Sequence, residues 1–245
     1  MTASSIAVKR DNPRRRHTPR SDGPTQKERE YLEVIYYLAM RDTPVIAAEL
    51  ARWMGVQPPT VTHAVGQLEQ KRYIERRERG EIALTSAGTA LAEEVVRRHC
   101  LLECFLLHVL ELPWHLVHEE AVRLEPALSA TMEGYILALV GNATTCPHGN
   151  PIPGAAASQP ALTSLLHVQP GKQFTIRRVL EEAEENTELL QYLESNELLP
   201  GKQLFIVDAS ATYGITLRRC NHDITVSPEV ASVLLGEEAA ISFKL

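Results

Sequence analysis

The sequence of 245 residues lacks several features that define large classes of protein. No run approaches the roughly eighteen consecutive apolar residues of a membrane-spanning helix, and the N-terminus has no apolar segment of a signal peptide. The four cysteines are too few and too irregularly spaced for a secreted disulfide framework. A nucleophile elbow, a phosphate-binding glycine loop and a His-Glu-x-x-His turn are also missing. We therefore expect a cytoplasmic protein that has no membrane segment and is not an enzyme.

Charge is distributed unevenly along the chain. The formal net charge of −6 by itself argues against a nucleic-acid binder. Residues 1–20, however, are strongly basic, whereas residues 165–245 carry an excess of Glu and Asp. A basic half can bind DNA while an acidic half dominates the average. The arm over residues 1–24 has no periodicity and is predicted to be disordered, either attracting phosphate non-specifically or serving only as a solvated tail.

The order of elements over residues 25–94 is typical of a winged helix-turn-helix domain. Apolar residues recur at helical spacing from Thr25, and two shorter helical segments follow, the second opened by a Pro-Pro pair. Residues 74–84 have short apolar ends around a charged Arg-Gly tip, which suits a hairpin. A long fourth helix is predicted from Thr85. The alternative is a helical core with a solvated basic rim.

The third predicted helix and the hairpin supply candidate DNA contacts. In a winged helix the second helix of the motif enters the major groove with its N-terminal residues at the base edges. The candidate base-contacting residues are Pro59, Thr60, Thr62, His63 and Gln67. Arginines of the hairpin suit phosphates, which provide sequence-independent affinity. The candidates for this role are Arg76, Arg77 and Arg79.

The stretch over residues 97–153 holds five of the nine histidines. His99 and Glu103 are four residues apart and share one helical face, and His118 and Glu125 are two turns apart on one face. Imidazole and carboxylate are ligands that divalent transition ions accept. One such pair alone would more often be a solvated helix face. Several pairs, interleaved with apolar residues and followed by Cys-Pro-His-Gly, favour a metal site.

The remaining chain predicts a dimer interface, a linker and a small β domain. Helices over residues 98–112 and 115–141 carry more apolar surface than one pair can bury within itself, which indicates a homodimer. Gly, Pro, Ala and Ser are abundant in the following segment, which is typical of a linker. Strand-like runs from residue 164 onward, with one helix over 187–196, predict a small β-barrel. The fold class is therefore mainly α with a small β domain.

In this order the elements resemble the diphtheria toxin repressor and manganese transport regulator family over residues 25–245. The most specific segments are Arg98-His99-Cys100-Leu101-Leu102-Glu103, Val117-His118-Glu119-Glu120-Ala121 and Cys146-Pro147-His148-Gly149-Asn150-Pro151-Ile152-Pro153. The resemblance implies a homodimeric, metal-dependent repressor that binds double-stranded DNA at a palindromic operator, with Mn²⁺ or Fe²⁺ as co-repressor. The expected domains are a basic arm (1–24), a winged helix (25–94), a metal-binding and dimerisation domain (95–145), a linker (146–163) and an SH3-like, FeoA-like domain (164–245).

The resemblance implies one metal site around Glu103. Its residues in the family match His99, Glu103 and His118, and in the streptococcal manganese-responsive branch Glu103 acts with the residues that match Cys146 and His148. The alternative is that Cys146 and His148 only shape a Pro-Gly turn. A carboxylate of the barrel completes this site in relatives. Our alignment points to Glu185 or Glu188 for that role.

A second family site is altered in this sequence. Two positions that carry ligands in relatives are Val122 and Pro126, whose side chains cannot coordinate a metal. Either the site is lost, or it is rebuilt from other residues. The candidate ligands of a rebuilt site are Glu30, Glu33, His99 and Glu125, with Glu30 as the expected link between the DNA-binding and dimerisation domains.

The expected function is repression of manganese or iron uptake genes. Carboxylates favour Mn²⁺, whereas Cys146 favours Fe²⁺ or Zn²⁺, so we expect Mn²⁺ ahead of Fe²⁺ and Zn²⁺ as an ion that could bind in vitro. One alternative is a regulator of the same family that has lost or altered its metal sensing. A metalloenzyme is the third hypothesis, and the missing catalytic motifs count against it.

Overall fold

Three packed units follow one another along the chain. The computed structural model describes residues 23–41, 43–141, 143–155, 161–210, 212–219 and 222–239. Apart from Gly23 and Pro24, the predicted basic arm lies outside these residues. No helix in the described part of the chain is long and apolar enough to cross a membrane.

The first unit is a winged helix, as predicted. Its elements are α1 (Gln26–Ala39), α2 (Ala47–Trp53), α3 (Pro58–Gln70), β1 (Ile74–Arg76) and β2 (Ile82–Leu84). Helix α1 begins at a capping box, in which the Thr25 hydroxyl accepts from the Glu28 amide and the Glu28 carboxylate accepts from the Thr25 amide. Strands β1 and β2 pair antiparallel around a turn at Glu78–Gly80, which forms the wing.

The second unit consists of α4 (Ser86–His108), α5 (Val117–Leu124) and α6 (Ala130–Val140). The prediction of one continuous helix over residues 115–141 is wrong. The chain turns at Glu125–Ala127, where Pro126 has no amide hydrogen to donate, and the Ser129 hydroxyl then caps α6. The predicted helix over 98–112 likewise ends earlier, at His108.

The third unit is the predicted β domain. Its strands are β3 (Thr163–Ser164), β4 (Gln173–Val179), β5 (Gln203–Ser210), β6 (Gly214–Arg219), β7 (His222–Val226) and β8 (Leu234–Ala239). They form an antiparallel sheet in the order β3-β8-β4-β5-β6-β7. The helices are α7 (Glu181–Glu184), α8 (Thr187–Ser195) and α9 (Pro228–Val233). The predicted strand-like runs correspond to β4, β5, β6 and β7, and the predicted helix is α8, whereas β3, α7, α9 and β8 were not predicted.

The segment predicted as the start of a linker is packed against the β domain. Cys146, His148, Gly149 and Asn150 are buried. The turn is closed by a hydrogen bond of 2.8 Å from the Cys146 amide to the Asn150 carbonyl, and the Val179 amide donates to the His148 carbonyl at 2.8 Å. Composition alone is misleading here because a Gly- and Pro-rich segment can form a tight buried turn as well as a linker.

Candidate metal centre and DNA-binding surface

Side chains from α4, α5 and α7 converge at one buried point. Donor atoms of His99, Glu103, His118 and Glu184 all lie within 4.8 Å of one another. A Glu103 oxygen is 3.0 Å from His99 Nε2 and 3.3 Å from His118 Nδ1. A Glu184 oxygen is 2.9 Å from His118 Nδ1. Ligands that bind a metal at about 2.0–2.2 Å are about 3–3.5 Å apart, so these spacings suit a shared ion.

The Cys-Pro-His-Gly turn adds two more donors to the same place. Glu103, Cys146 and His148 form a second group with donor atoms within 4.8 Å of one another. His148 Nδ1 is 3.3 Å from a Glu103 oxygen and 3.4 Å from a Glu184 oxygen. We call the full set the Glu103 cluster, which comprises His99, Glu103, His118, Cys146, His148 and Glu184. All six residues are buried.

The Glu103 cluster needs positive charge. Within the described residues, neither Glu103 nor Glu184 forms a salt bridge with Lys or Arg. Burial raises the pKa of Glu103, but the charges of His148 and His99 lower it by more than burial raises it. The pKa of Glu103 is therefore well below the ordinary value. Burial lowers the pKa of His99, and the carboxylates of Glu33 and Glu103 raise it to about 9. Imidazolium protons or a bound cation can supply this charge.

The donor atoms of the Glu103 cluster fit a divalent metal, and the histidine nitrogens that face its carboxylates are the Nδ1 atoms of His118 and His148. The Nε2 atoms on the opposite side of these two rings are buried and have no hydrogen-bond partner among the described residues. A buried polar atom without a partner is costly, and such atoms are concentrated at functional sites. Together with two buried carboxylates, these imidazoles form a set of nitrogen and oxygen donors that divalent iron and manganese accept.

The barrel carboxylate in the cluster is Glu184, not Glu185 or Glu188. The Glu185 side chain is 58% exposed and reaches only to 4.0 Å from His118, and Glu188 is exposed on α8. Asn150 positions Glu184 by donating to its carboxylate at 2.6 Å. Sequence reasoning missed Glu184 because α7 was not predicted. Glu181 and Glu184 are three residues apart and both lie on the buried side of α7. This helical spacing of two glutamates is the sequence pattern that could have indicated Glu184.

The four candidate ligands of a rebuilt second site line one cavity, but among the described residues their donor atoms do not form a group with the spacing of metal ligands. Glu30 forms a salt bridge of 2.8 Å with Lys27 on its own helix. Glu33 lies 3.9 Å from His99 Nδ1, at the edge of the Glu103 cluster. Among the described residues, neither Glu30 nor Glu125 joins a group with the spacing of metal ligands.

Arginine, not a set of ligands, surrounds Glu125. Arg29 Nε donates to one carboxylate oxygen of Glu125 at 3.0 Å, and Arg29 Nη2 donates to the other. Arg98 Nε lies 3.7 Å from the same carboxylate. Val122 and Pro126 face the adjoining cavity of about 280 Å³ and offer no donor atom. Within the described residues the salt bridge of Glu30 stays inside α1, whereas Arg29 pairs across the interface with Glu125, and the role of Glu30 as a metal ligand stays a prediction.

The predicted DNA-contacting residues lie on one exposed surface. The buried side of α3 is apolar and packs into the winged-helix core, which turns the opposite side outward. The exposed residues on α3 include Pro59, Thr60, Thr62, His63 and Gln67. On the wing the exposed cations are Arg76, Arg77 and Arg79. This arrangement provides a helix for the major groove and a wing with three exposed arginines for the phosphates, of which Arg76 and Arg77 pair with nearby glutamates.

A winged helix, a helical domain with buried imidazoles and carboxylates, and a small β domain together define a metal-dependent, DNA-binding transcriptional regulator. Three family models match in the same order. They are "Iron dependent repressor, N-terminal DNA binding domain" over residues 25–81, "Iron dependent repressor, metal binding and dimerisation domain" over 85–154 and "FeoA domain" over 163–238. The chain therefore belongs to the family of iron- and manganese-dependent repressors that includes the diphtheria toxin repressor.

Individual relatives agree with this assignment. The chain is 28% identical over 219 residues to the iron-dependent repressor IdeR of Mycobacterium leprae (strain TN), an alignment that covers 85% of this chain and 95% of the relative. It is 35% identical over 124 residues to the diphtheria toxin repressor of Corynebacterium jeikeium (strain K411), covering 51% and 52% of the two chains. A solved manganese-dependent transcriptional repressor in complex with manganese superposes with a TM-score of 0.75 at 26% identity, covering 85% of this chain and 98% of that one. The expected family, SH3-like domain and repressor function are confirmed.

Proposed function

We propose that this chain is a cytoplasmic, homodimeric repressor of manganese or iron uptake genes, without catalytic activity. In this proposal its DNA binding is switched on by Mn²⁺ or Fe²⁺ at the Glu103 cluster. The observation that supports it is the convergence of donors from α4, α5, the Cys146–His148 turn and α7 within ligand spacing. One ion there would join the dimerisation helices to the FeoA domain.

The ion supplies positive charge to Glu103 and Glu184 when it is bound. The side chains of the protein itself are held in place by contacts between its helices. His99 and Glu103 are held on α4, against which α1 of the winged helix packs. Glu33 of α1 lies 3.9 Å from His99. A shift of the His99 ring would therefore act directly on a helix of the DNA-binding domain. A preference of a few kcal/mol for the DNA-competent arrangement is sufficient to shift the population.

The dimer provides the second half of the DNA contact. Two α3 helices related by two-fold symmetry would reach successive major grooves of a palindromic operator. In this arrangement the exposed residues at the start of α3 face the bases, and Arg76, Arg77 and Arg79 face phosphates. The donor set does not discriminate strongly between the two ions, since its carboxylates favour Mn²⁺ and its imidazoles and thiol favour Fe²⁺.

Fluorescence anisotropy with a labelled palindromic duplex from the protein's own promoter region tests the proposal. Binding is measured at fixed salt in chelator, in Mn²⁺, in anaerobic Fe²⁺ and in Zn²⁺, because the phosphate contribution depends on salt. We expect tight binding with Mn²⁺ or Fe²⁺ and weak binding in chelator. Equal binding in chelator would instead support a family member that has lost metal sensing, the hypothesis that Val122 and Pro126 motivate.

A further inference from the structure

The positive charge at the interface between α1 and the turn after α5 comes from an arginine side chain. Arg29 of the winged helix donates through two nitrogens to both oxygens of Glu125, which lies in the dimerisation domain. Resting on the proposed function, we infer that the Arg29 guanidinium takes the place of a second metal ion as the link between these two domains. One of the two interdomain links is therefore permanent, and only the Glu103 cluster responds to metal.

The contact is buried enough to act as such a link. The side chains of Arg29 and Glu125 are 14% and 5% exposed. A planar guanidinium matches a carboxylate through two parallel hydrogen bonds, which fixes orientation as well as distance. Breaking a buried pair of this kind is strongly destabilising, because the remaining charge is left without a partner.

The surroundings of Glu125 fit a guanidinium and do not fit a metal. Arg98 on α4 also approaches this carboxylate, to 3.7 Å, and Val122 and Pro126 contribute no donor. Glu30 and Glu33 line the same cavity, but no described group with the spacing of metal ligands includes Glu125, and a divalent ion beside it would have two guanidinium groups as repelling neighbours. Glu125 is therefore a bridge between Arg29 and Arg98, which connects α1, the turn after α5, and α4.

The test replaces Arg29 and keeps the metal site intact. Operator affinity is measured by anisotropy for R29A and wild type at saturating Mn²⁺ over several salt concentrations, and bound manganese per subunit is measured after dialysis. The matched control is K27A, which removes a positive charge from the same helix. Lys27 is exposed and pairs only within α1, with Glu30, among the described residues.

We expect R29A to bind the operator about tenfold more weakly or worse, since truncating one partner of a buried charge pair is costly. Its manganese content and the slope of log affinity against log salt should match wild type, because Arg29 contacts neither the cluster nor phosphate. K27A should stay close to wild type. In a double-mutant cycle, the losses from R29A and E125Q should be less than additive, because both variants remove the Arg29–Glu125 pair.

Three results would overturn the inference: wild-type operator affinity in R29A, additive losses from R29A and E125Q, or a lower manganese content in E125Q. If R29A is not a folded dimer by size-exclusion chromatography, R29K replaces it, and its affinity should fall measurably because lysine keeps the charge but loses the paired hydrogen bonds. Wild type in chelator tests the proposed function separately. Failure of the Arg29 link with normal metal activation in wild type would leave that function standing.

Discussion

Glu184 and Glu185 are neighbours in the chain but lie in opposite environments. Glu184 is buried at 2.9 Å from His118 Nδ1, whereas most of the Glu185 side chain is in solvent. Their chemistry is identical, so only position distinguishes their roles. This pair provides an internal comparison for the Glu103 cluster.

We predict that E184Q lowers manganese affinity by about 100-fold, since even hydrogen-bonding partners of metal ligands contribute 10- to 100-fold. E185Q should change it by less than about threefold, because an exposed carboxylate of this kind contributes only long-range charge. Competition with a fluorescent chelator measures both affinities. Equal losses in the two variants would remove Glu184 from the cluster.

Residue patterns predicted some of the residues that this structure brings into contact and missed others for identifiable reasons. His99, Glu103 and His118 follow from helical spacing and from the resemblance, and the structure brings them together. Arg29 has its partner 96 residues away, and no local pattern reports such a pairing. The Glu125–Arg29 contact therefore became visible only in the folded chain.

The Cys146–His148 turn depends on a glycine with an unusual backbone. Gly149 has φ of +90°, and a Cβ there would lie 2.0 Å from the Arg177 carbonyl oxygen. Gly154 has a similar φ of +81°, but a Cβ there would meet nothing within 4 Å. Replacing either glycine by alanine would therefore strain the backbone. Only at position 149 would the added Cβ also clash with a neighbouring atom.

We predict that G149A disturbs His148 and lowers manganese affinity at least about tenfold, because the clash is with backbone that does not yield cheaply. G154A should cost about 1 kcal/mol of folding stability from its positive φ and leave the metal affinity unchanged. Chelator competition and urea unfolding measure the two effects. A normal metal affinity in G149A would show that the turn does not hold a ligand.

Elements with strong periodicity were the most predictable. Helix α1 and the hairpin of the wing appear where the sequence places them. The short α7 was missed because four residues carry too little periodicity, and the break at Pro126 was missed because apolar residues continue at helical spacing on both sides of it.

At the scale of the whole molecule, α6 presents an apolar surface to solvent. Its exposed side chains include Met132, Tyr135 and Leu139, the last of these 62% exposed. This surface lies in the domain that the dimerisation family model matches. Packing against the same surface of a second subunit would bury it. The dimer in turn determines the spacing of the two recognition helices.

We predict that L139E shifts the protein towards monomer by at least about tenfold in dimer dissociation constant, because a charge would be buried in an apolar interface. Y213E, which alters an exposed aromatic residue of the FeoA domain, is the control and should remain dimeric. Analytical ultracentrifugation measures both. An unchanged dimer in L139E would place the interface elsewhere.

Metal control of DNA binding through the Glu103 cluster is tested by operator binding as a function of free Mn²⁺ for wild type and for E103Q. Glu103 belongs to both groups of candidate ligands, so its replacement should affect the whole cluster. We expect manganese to strengthen operator binding in wild type, and E103Q, still dimeric, to stay at the weak affinity seen in chelator. A metal response in E103Q equal to that of wild type would show that the Glu103 cluster is not the metal switch.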